Sequence, residues 1–308
     1  MITPQLQRPM HIYLAVDGSE HALAAVDLLL DLPINQSREA GSTITALAVL
    51  TIRHTVSRAD LLAALDQAQN LLQATGVEVT TGMLYGHPAQ ALAEFAEEHE
   101  PDLIVMGAKG LRATLGILLG GVVQQMVEYS RWPVLVVRLP YQGLNRILLV
   151  TDGSSCSKCA VDYLGKFPLH ERCEVDVMHV LPPLPHVDRI IQAWPIGTEI
   201  PAFPPTENYE EAIKLQIEQE QTEGREILKQ TIQALQASRI DASPVLVRGD
   251  AATEIIGYAK ERKVDLIVAG SRGLSQVRGW LLGSVSRKLV HYAPCSVMIV
   301  KGMRECED

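Results

Sequence analysis

Long apolar runs and aromatic side chains are scarce in this sequence. The longest apolar stretch surrounds positions 115–123, far short of the roughly 20 residues that cross a bilayer. The first residues carry no apolar core typical of a secretion signal. Aromatic residues make up 5% of the chain, a composition that suits buried parallel strands under helices better than an aromatic-rich β-sandwich. These scarcities predict a cytoplasmic protein that does not act at a membrane.

Positive charge and cysteine are also limited. Lys and Arg total 27 against 36 for Asp and Glu, a net charge of -9, whereas general nucleic-acid binders are basic. Five cysteines among 308 residues are too few, and odd in number, for a disulfide framework. The length is about twice that of a common domain of roughly 150 residues. We therefore expect two domains and no nucleic-acid partner.

The sequence contains an internal duplication. Val-Asp-Gly-Ser at 16–19 returns as Thr-Asp-Gly-Ser at 151–154. Farther along, Asp-Leu-Ile-Val-Met-Gly at 102–107 returns as Asp-Leu-Ile-Val-Ala-Gly at 265–270. Self-similarity of this length indicates tandem copies of one structural unit.

The two copies predict domains 1–140 and 141–308. Their offset grows from 135 residues at the first motif to 163 at the second, so copy two holds 28 more. The extra residues are expected in a Pro-rich insertion at 181–209, where proline excludes regular helix and central strand. The insertion is interpreted as a long surface loop, with a lid or partner-docking arm that carries Trp194 and Phe203 as the alternative.

Short β-branched runs alternate with helical patterns in both copies. The strands predicted for copy one are 12–16, 43–50, 77–84, 103–106 and 134–137. This alternation predicts an α/β fold of two tandem doubly wound domains with parallel strands. The last strands, 134–137 and 297–300, would be exposed edges unless they pair. We expect them to pair as an intramolecular pseudo-dimer, and a homodimer remains open.

The strongest local signal follows the fourth strand of copy two. Gly270 and Gly273 are followed after nine residues by Gly283 and Ser284, which open a helix. Glycines let backbone amides approach a ligand, and a helix N-terminus favours anions. Ser284 is expected to cap the helix and to donate to a phosphate. Four cations lie in the same segment: Arg272, Arg278, Arg287 and Lys288. The segment predicts an anion site, and a Gly-rich turn with an ordinary serine cap is the alternative.

Together, the paired Asp-Gly-Ser turns, the Asp-Leu-Ile-Val-x-Gly strands and the G-x2-G-x9-G-[ST] pattern resemble the universal stress protein family in its tandem form. The resemblance covers nearly the whole chain apart from the insertion. It implies a five-stranded parallel sheet in each domain and a stress-response or regulatory module that binds ATP, with or without Mg²⁺. The ATP-binding residues that it implies are Asp152, Val180, Gly270, Arg272, Gly273, Gly283, Ser284, Val285 and Ser286.

Copy one departs from this pattern because Gly121 stands where the family has Ser or Thr. One hydroxyl donor and one expected cap are lost, and a charge-assisted hydrogen bond contributes about 1.5–3 kcal/mol. Nucleotide is therefore expected mainly in the C-terminal domain. An ordinary turn is the alternative for Asp17 and Asp152. If copy one also binds, its contacts would come from Asp17, Val49, Gly107, Gly110, Gly120, Gly121 and Val122.

No catalytic residue or metal ligand is assigned, because the P-loop, zinc-protease, serine-hydrolase and kinase patterns are absent. Binding without efficient hydrolysis is predicted, and weak ATPase activity is a further option. His179 is expected to be a core histidine. The main alternative is a nucleotide-independent scaffold for an unknown protein partner, which would dock on the insertion or on the helix predicted at 210–236.

Cys156 and Cys159 form a Cys-x-x-Cys motif at the start of the first helix of copy two. A helix N-terminus and the adjacent Lys158 would lower a thiol pKa, which is typical of a redox pair. Cys159 aligns with Ala24, however, which favours a small buried packing residue at that position.

Overall fold

The protein is described by a computed structural model. The described residues are 9–34, 41–51, 56–110, 119–184, 206–273 and 282–301. Most of the predicted insertion lies outside these ranges, with Trp194 and Phe203, and so does Arg278.

In the described part of the first half, five strands alternate with four helices. They are β1 (His11–Ala15), α1 (Glu20–Asp31), β2 (Thr43–Leu50), α2 (Arg58–Gln73), β3 (Glu78–Tyr85), α3 (Pro88–His99), β4 (Leu103–Gly107), α4 (Gly121–Tyr129) and β5 (Val134–Val137).

The second half repeats the alternation. Its described elements are β6 (Arg146–Val150), α5 (Ser155–Lys166), β7 (Glu174–Leu181), α6 (Thr206–Ala237), β8 (Ala242–Arg248), α7 (Ala251–Glu261), β9 (Leu266–Gly270), α8 (Ser284–Tyr292) and β10 (Ser296–Val300).

The ten strands of the described ranges form one sheet, in the order β3-β2-β1-β4-β5-β10-β9-β6-β7-β8. Neighbouring strands within each half are parallel. The halves join where β5 and β10 pair antiparallel, with Val297 opposite Val136 and Met298 opposite Leu135. The predicted pair of parallel α/β units packed as a pseudo-dimer is thus confirmed.

Helices cover both faces of the sheet, because the strand residues are apolar on both sides. One buried cluster lies under α1, α2, α5 and α6 and includes Leu14, Leu135 and Leu149. The other lies under α3, α4, α7 and α8 and includes Tyr13 and Val136. Each cluster draws residues from both halves, so the hydrophobic core is continuous across the β5–β10 seam.

The long helix α6 covers the predicted range 210–236 and extends it at both ends. It packs on β7, β8 and α5, and it buries Leu228 and Leu235. One face of this helix therefore belongs to the core. Within the described ranges, no helix is long and apolar enough to cross a membrane.

The strand order creates one topological switch point in each half. β1 lies between β2 and β4, and β6 lies between β7 and β9. Chain connections leave such neighbouring strands in opposite directions, which opens a crevice beyond their carboxyl ends. The Asp-Gly-Ser turns follow β1 and β6, and the Gly-rich segments follow β4 and β9, so each pair of motifs meets at one crevice.

Candidate functional site

Asp152 begins the turn from β6 into α5. Its Oδ1 accepts the Ser154 amide at 3.0 Å, and the Ser154 side chain caps α5 by accepting the Ser157 amide at 3.3 Å. A Cβ atom built on Gly273 would lie 2.5 Å from Oδ2 of Asp152. The carboxylate therefore stabilises the turn with one oxygen and faces the Gly-rich segment with the other.

Gly270 allows the end of β9 to pack directly on the first turn of α5. A Cβ at this position would lie 2.6 Å from the carbonyl oxygen of Cys156, closer than van der Waals contact permits. The Ser286 hydroxyl is buried and donates to the Gly270 carbonyl at 2.7 Å. Because this hydroxyl ties α8 to β9, only the backbone amide of Ser286 can serve a ligand.

The N-cap of α8 is Gly283, so the prediction that Ser284 caps this helix was wrong. The Gly283 carbonyl accepts the first helical bond, from the Arg287 amide at 2.9 Å. The Gly283 amide donates to Ser271 at 2.8 Å, which holds this residue at the helix start. Ser284 is the first helical residue, and its side chain is exposed.

The same correction applies to copy one, where Gly120 is the N-cap of α4. The Gln124 amide donates to the Gly120 carbonyl at 3.0 Å. Gly121 therefore costs copy one a hydroxyl but no cap. Nothing lies within 4 Å of a Cβ built on Gly121, so packing does not require a glycine there.

Three consecutive backbone amides at the start of α8 have no acceptor within the helix, those of Ser284, Val285 and Ser286. They carry the positive end of the helix dipole, at the crevice where β6 and β9 end. This arrangement can bind an anion such as a phosphate.

The cations around α8 are already engaged with acidic side chains. Arg287 lies 3.2 Å from Glu128 of the first half, and Lys288 lies 3.6 Å from Asp250. The Asp250 carboxylate also caps α7 by accepting the Thr253 amide, and the hydroxyl and amide of Thr253 lower the pKa of Asp250. A ligand at this site therefore meets cations whose charges are already partly neutralised by Glu128 and Asp250.

Lys301 is a further cation at this site that sequence reasoning missed. Burial, followed by repulsion from Arg272, lowers the pKa of Lys301 to about 8. A signal was present, because Arg138 stands 163 residues earlier, at the same place after the last strand of copy one. The burial and the Arg272 neighbour could not be seen in the sequence.

Val180 and Val49 lie where the adenine contact was expected, near the ends of β7 and β2. The pairing of β7 with β6 ends at Met178, and that of β2 with β1 ends at Leu47. Each valine is thus two residues beyond the last paired residue and is partly exposed. Both lie beside the crevice.

The crevice of copy one is built in the same way. Oδ1 of Asp17 accepts the Ser19 amide at 3.0 Å, and a Cβ on Gly110 would overlap Oδ2 of Asp17. A Cβ on Gly107 would lie 2.6 Å from the carbonyl oxygen of His21. Burial, followed by repulsion from Lys109 and Arg138, lowers the pKa of His21. The predicted residues of copy one therefore come together, with Val122 in the first turn of α4.

Two other predictions concern residues near the crevice of copy two. His179 is buried, and its Nδ1 lies 2.8 Å from the Thr151 carbonyl, which confirms a core histidine with a satisfied hydrogen bond. Cys156 is a free thiol and Cys159 is disulfide-bonded. The two cysteines of the Cys-x-x-Cys motif are therefore not bonded to each other, although both are buried as packing residues would be.

Comparison with known proteins gives a consistent result. The family model described as the universal stress protein family matches residues 10–138 and again 143–301. The universal stress protein YxiE of Bacillus subtilis is 30% identical over 157 residues, which cover 51% of this chain and 99% of that protein. A universal stress protein of Mycolicibacterium smegmatis is 27% identical over 248 residues, 77% of this chain and 76% of that one.

A solved structure supports the fold. The universal stress protein from Archaeoglobus fulgidus superposes with a TM-score of 0.63 at 18% sequence identity, and the match covers 97% of this chain and 98% of that one. Because the family model matches twice and nearly end to end, this chain belongs to the universal stress protein family, in a tandem form.

Proposed function

We propose that this protein is a regulatory module that binds an adenine nucleotide, ATP in the first place, mainly through its second half. The observation that carries the proposal is that three kinds of chemical group meet at one crevice. The open amides of Ser284, Val285 and Ser286, the carboxylate of Asp152 and the cations Arg272 and Lys301 converge there. The proposed units are residues 1–140 and 141–308.

The geometry supports a division of roles within this crevice. The helix amides and Arg272 would bind phosphates. Asp152 would lie beside the nucleoside, and the backbone of Val180 would contact adenine. Mg²⁺ would be held chiefly by the phosphate oxygens, as is common for nucleotide sites. No cluster of three potential metal-ligating side chains occurs among the described residues.

Binding rather than efficient hydrolysis is proposed, with a nucleotide-dependent conformation or partner contact as the output. The first half would bind more weakly. Its helix start has the same backbone geometry, but Gly121 lacks the hydroxyl of Ser284, and Gln124 stands where the second half has Arg287. Two favourable contacts to a phosphate are thereby missing.

The experiment is a calorimetric titration of Mg·ATP into matched variants, Ser284→Asp and Gly121→Asp. Both place a carboxylate at the first position of a helix, where it favours the helix dipole and should preserve folding. In Ser284→Asp the carboxylate should repel the phosphates and weaken binding by about tenfold or more. Gly121→Asp should leave the main binding event unchanged.

Two outcomes would count against the proposal. If Ser284→Asp binds Mg·ATP as tightly as the wild type does, the phosphates do not bind at the start of α8. A loss confined to Gly121→Asp would place the principal site in the first half. Thermal unfolding of both variants serves as the control for folding.

A further inference from the structure

Glu128 reaches from the first half of the chain into the crevice of the second half. It lies in the last turn of α4, and its side chain is only 15% exposed. Its carboxylate is 3.2 Å from the Arg287 guanidinium, and its backbone carbonyl accepts the Lys301 ammonium at 3.1 Å. The C-terminus of α4 therefore lies against the start of α8 across the seam.

Both partners of Glu128 belong to the proposed phosphate site. Arg287 lies in the first turn of α8, directly after the three open amides. Lys301 follows β10, and the charges of Arg272 and Cys156 both act on its pKa. The carbonyl of Cys156 in turn lies against Gly270. Glu128 is thus an acidic group held among the cations that would meet a phosphate.

The corresponding contact in the other direction lacks the acid. Arg138 of the first half donates to the carbonyls of Val290 and His291 at 2.6 and 3.1 Å. His291 stands 163 residues after Glu128 and occupies the equivalent position at the end of α8. In each half, the cation after the last strand thus donates to carbonyls near the end of α4 or α8 in the other half. The carboxylate of Glu128, by contrast, belongs to the contact at the second-half crevice.

We propose that Glu128 is a built-in counter-ion of the second-half site, which competes with ligand phosphate for Arg287 and Lys301. The first half thereby sets the affinity of the second half for polyphosphate. This inference rests on the proposed nucleotide binding. An incoming phosphate must draw Arg287 away from Glu128 or remain close to a like charge, and solvent screens a mostly buried carboxylate poorly.

The repulsion between Glu128 and a ligand grows with the negative charge of the ligand. ATP carries more negative charge than AMP and places it farther from the nucleoside, towards the cations. Removal of the Glu128 charge should therefore favour ATP more than AMP.

The test compares Glu128→Gln with Glu174→Gln by titration of Mg-free ATP and of AMP. Both variants remove one negative charge and one Arg–Glu pair, but Glu174 pairs with Arg146 at 3.2 Å, at the opposite ends of the strands. We expect Glu128→Gln to bind ATP about threefold to tenfold more tightly, with a smaller gain for AMP. Glu174→Gln should bind as the wild type does.

A double variant separates a direct role from a general charge effect. If Glu128 acts through Arg287, most of its effect should vanish in an Arg287→Gln background. Unchanged ATP affinity in Glu128→Gln, equal gains for ATP and AMP, or an equal gain in Glu174→Gln would each overturn the inference while the wild type still binds. If neither nucleotide binds the wild type, the proposed function falls, and this inference falls with it.

Discussion

The glycines of the Gly-rich segments have different physical roles at the scale of single residues. Gly270 is required by packing, because a Cβ would meet the Cys156 backbone, whereas a Cβ on Gly273 would meet the end of the Asp152 side chain. Gly283 starts a helix, and Gly121 has open space around it. The sequence pattern alone could predict the crevice, since such spacing is typical of anion-binding turns. It could not distinguish these roles, which depend on contacts with distant turns.

Gly270→Ala should destabilise the fold by about 1–3 kcal/mol, because the new methyl group would force β9 and α5 apart. Gly257→Ala is the matched control. Gly257 lies exposed within α7, with nothing within 4 Å of its Cβ position, so alanine should stabilise by up to about 1 kcal/mol. Denaturant unfolding of both variants measures this, and equal changes in the free energy of unfolding would contradict the packing role of Gly270.

At the scale of elements, the strands of copy one lie within about one residue of where the sequence predicts them. β2 and β5 have the predicted bounds, because their apolar runs mark them clearly. The start of α8 was misplaced by one residue, since Gly and Ser both favour the N-cap position. Gly283 is held at the N-cap position by the hydrogen bond from its amide to the Ser271 carbonyl. Local sequence does not show this contact.

Lys301 links the end of β10 to the end of α4, and its buried ammonium should make stability depend on pH. Its pKa is about 8 in the folded chain and 10.5 ordinarily, so the unfolded state binds more protons between these values. The contribution of Lys301 to the free energy of unfolding should rise with pH across this window and level off below about pH 8, where both states are protonated.

The Lys301→Met variant isolates this effect. Methionine removes the buried charge, so the wild type should gain stability relative to the variant as pH rises from 8 to 10.5. Denaturant unfolding of both proteins at neutral pH and within this window gives the difference. A difference that stays constant with pH would show that Lys301 is not held in a desolvating position.

At the scale of the whole molecule, the duplication produces one continuous sheet with an intramolecular two-fold arrangement. Sequence reasoning predicted the pairing of β5 with β10, because two apolar edge strands require partners. It did not predict the contacts that cross the seam. Glu128 with Arg287, and Arg138 with the carbonyls of Val290 and His291, join residues too distant in sequence for any local pattern to reveal. Through these contacts, each half lies beside the crevice of the other half.

The most direct test of the account is the stoichiometry of Mg·ATP binding to nucleotide-free wild-type protein, measured by calorimetry. We expect one principal site per chain, because only the second half combines the Ser284 hydroxyl with Arg287 and Lys301 around the open helix amides. Two equivalent sites would show that these side chains do not decide binding. The absence of heat at several temperatures would contradict nucleotide binding altogether and favour a role as an interaction scaffold.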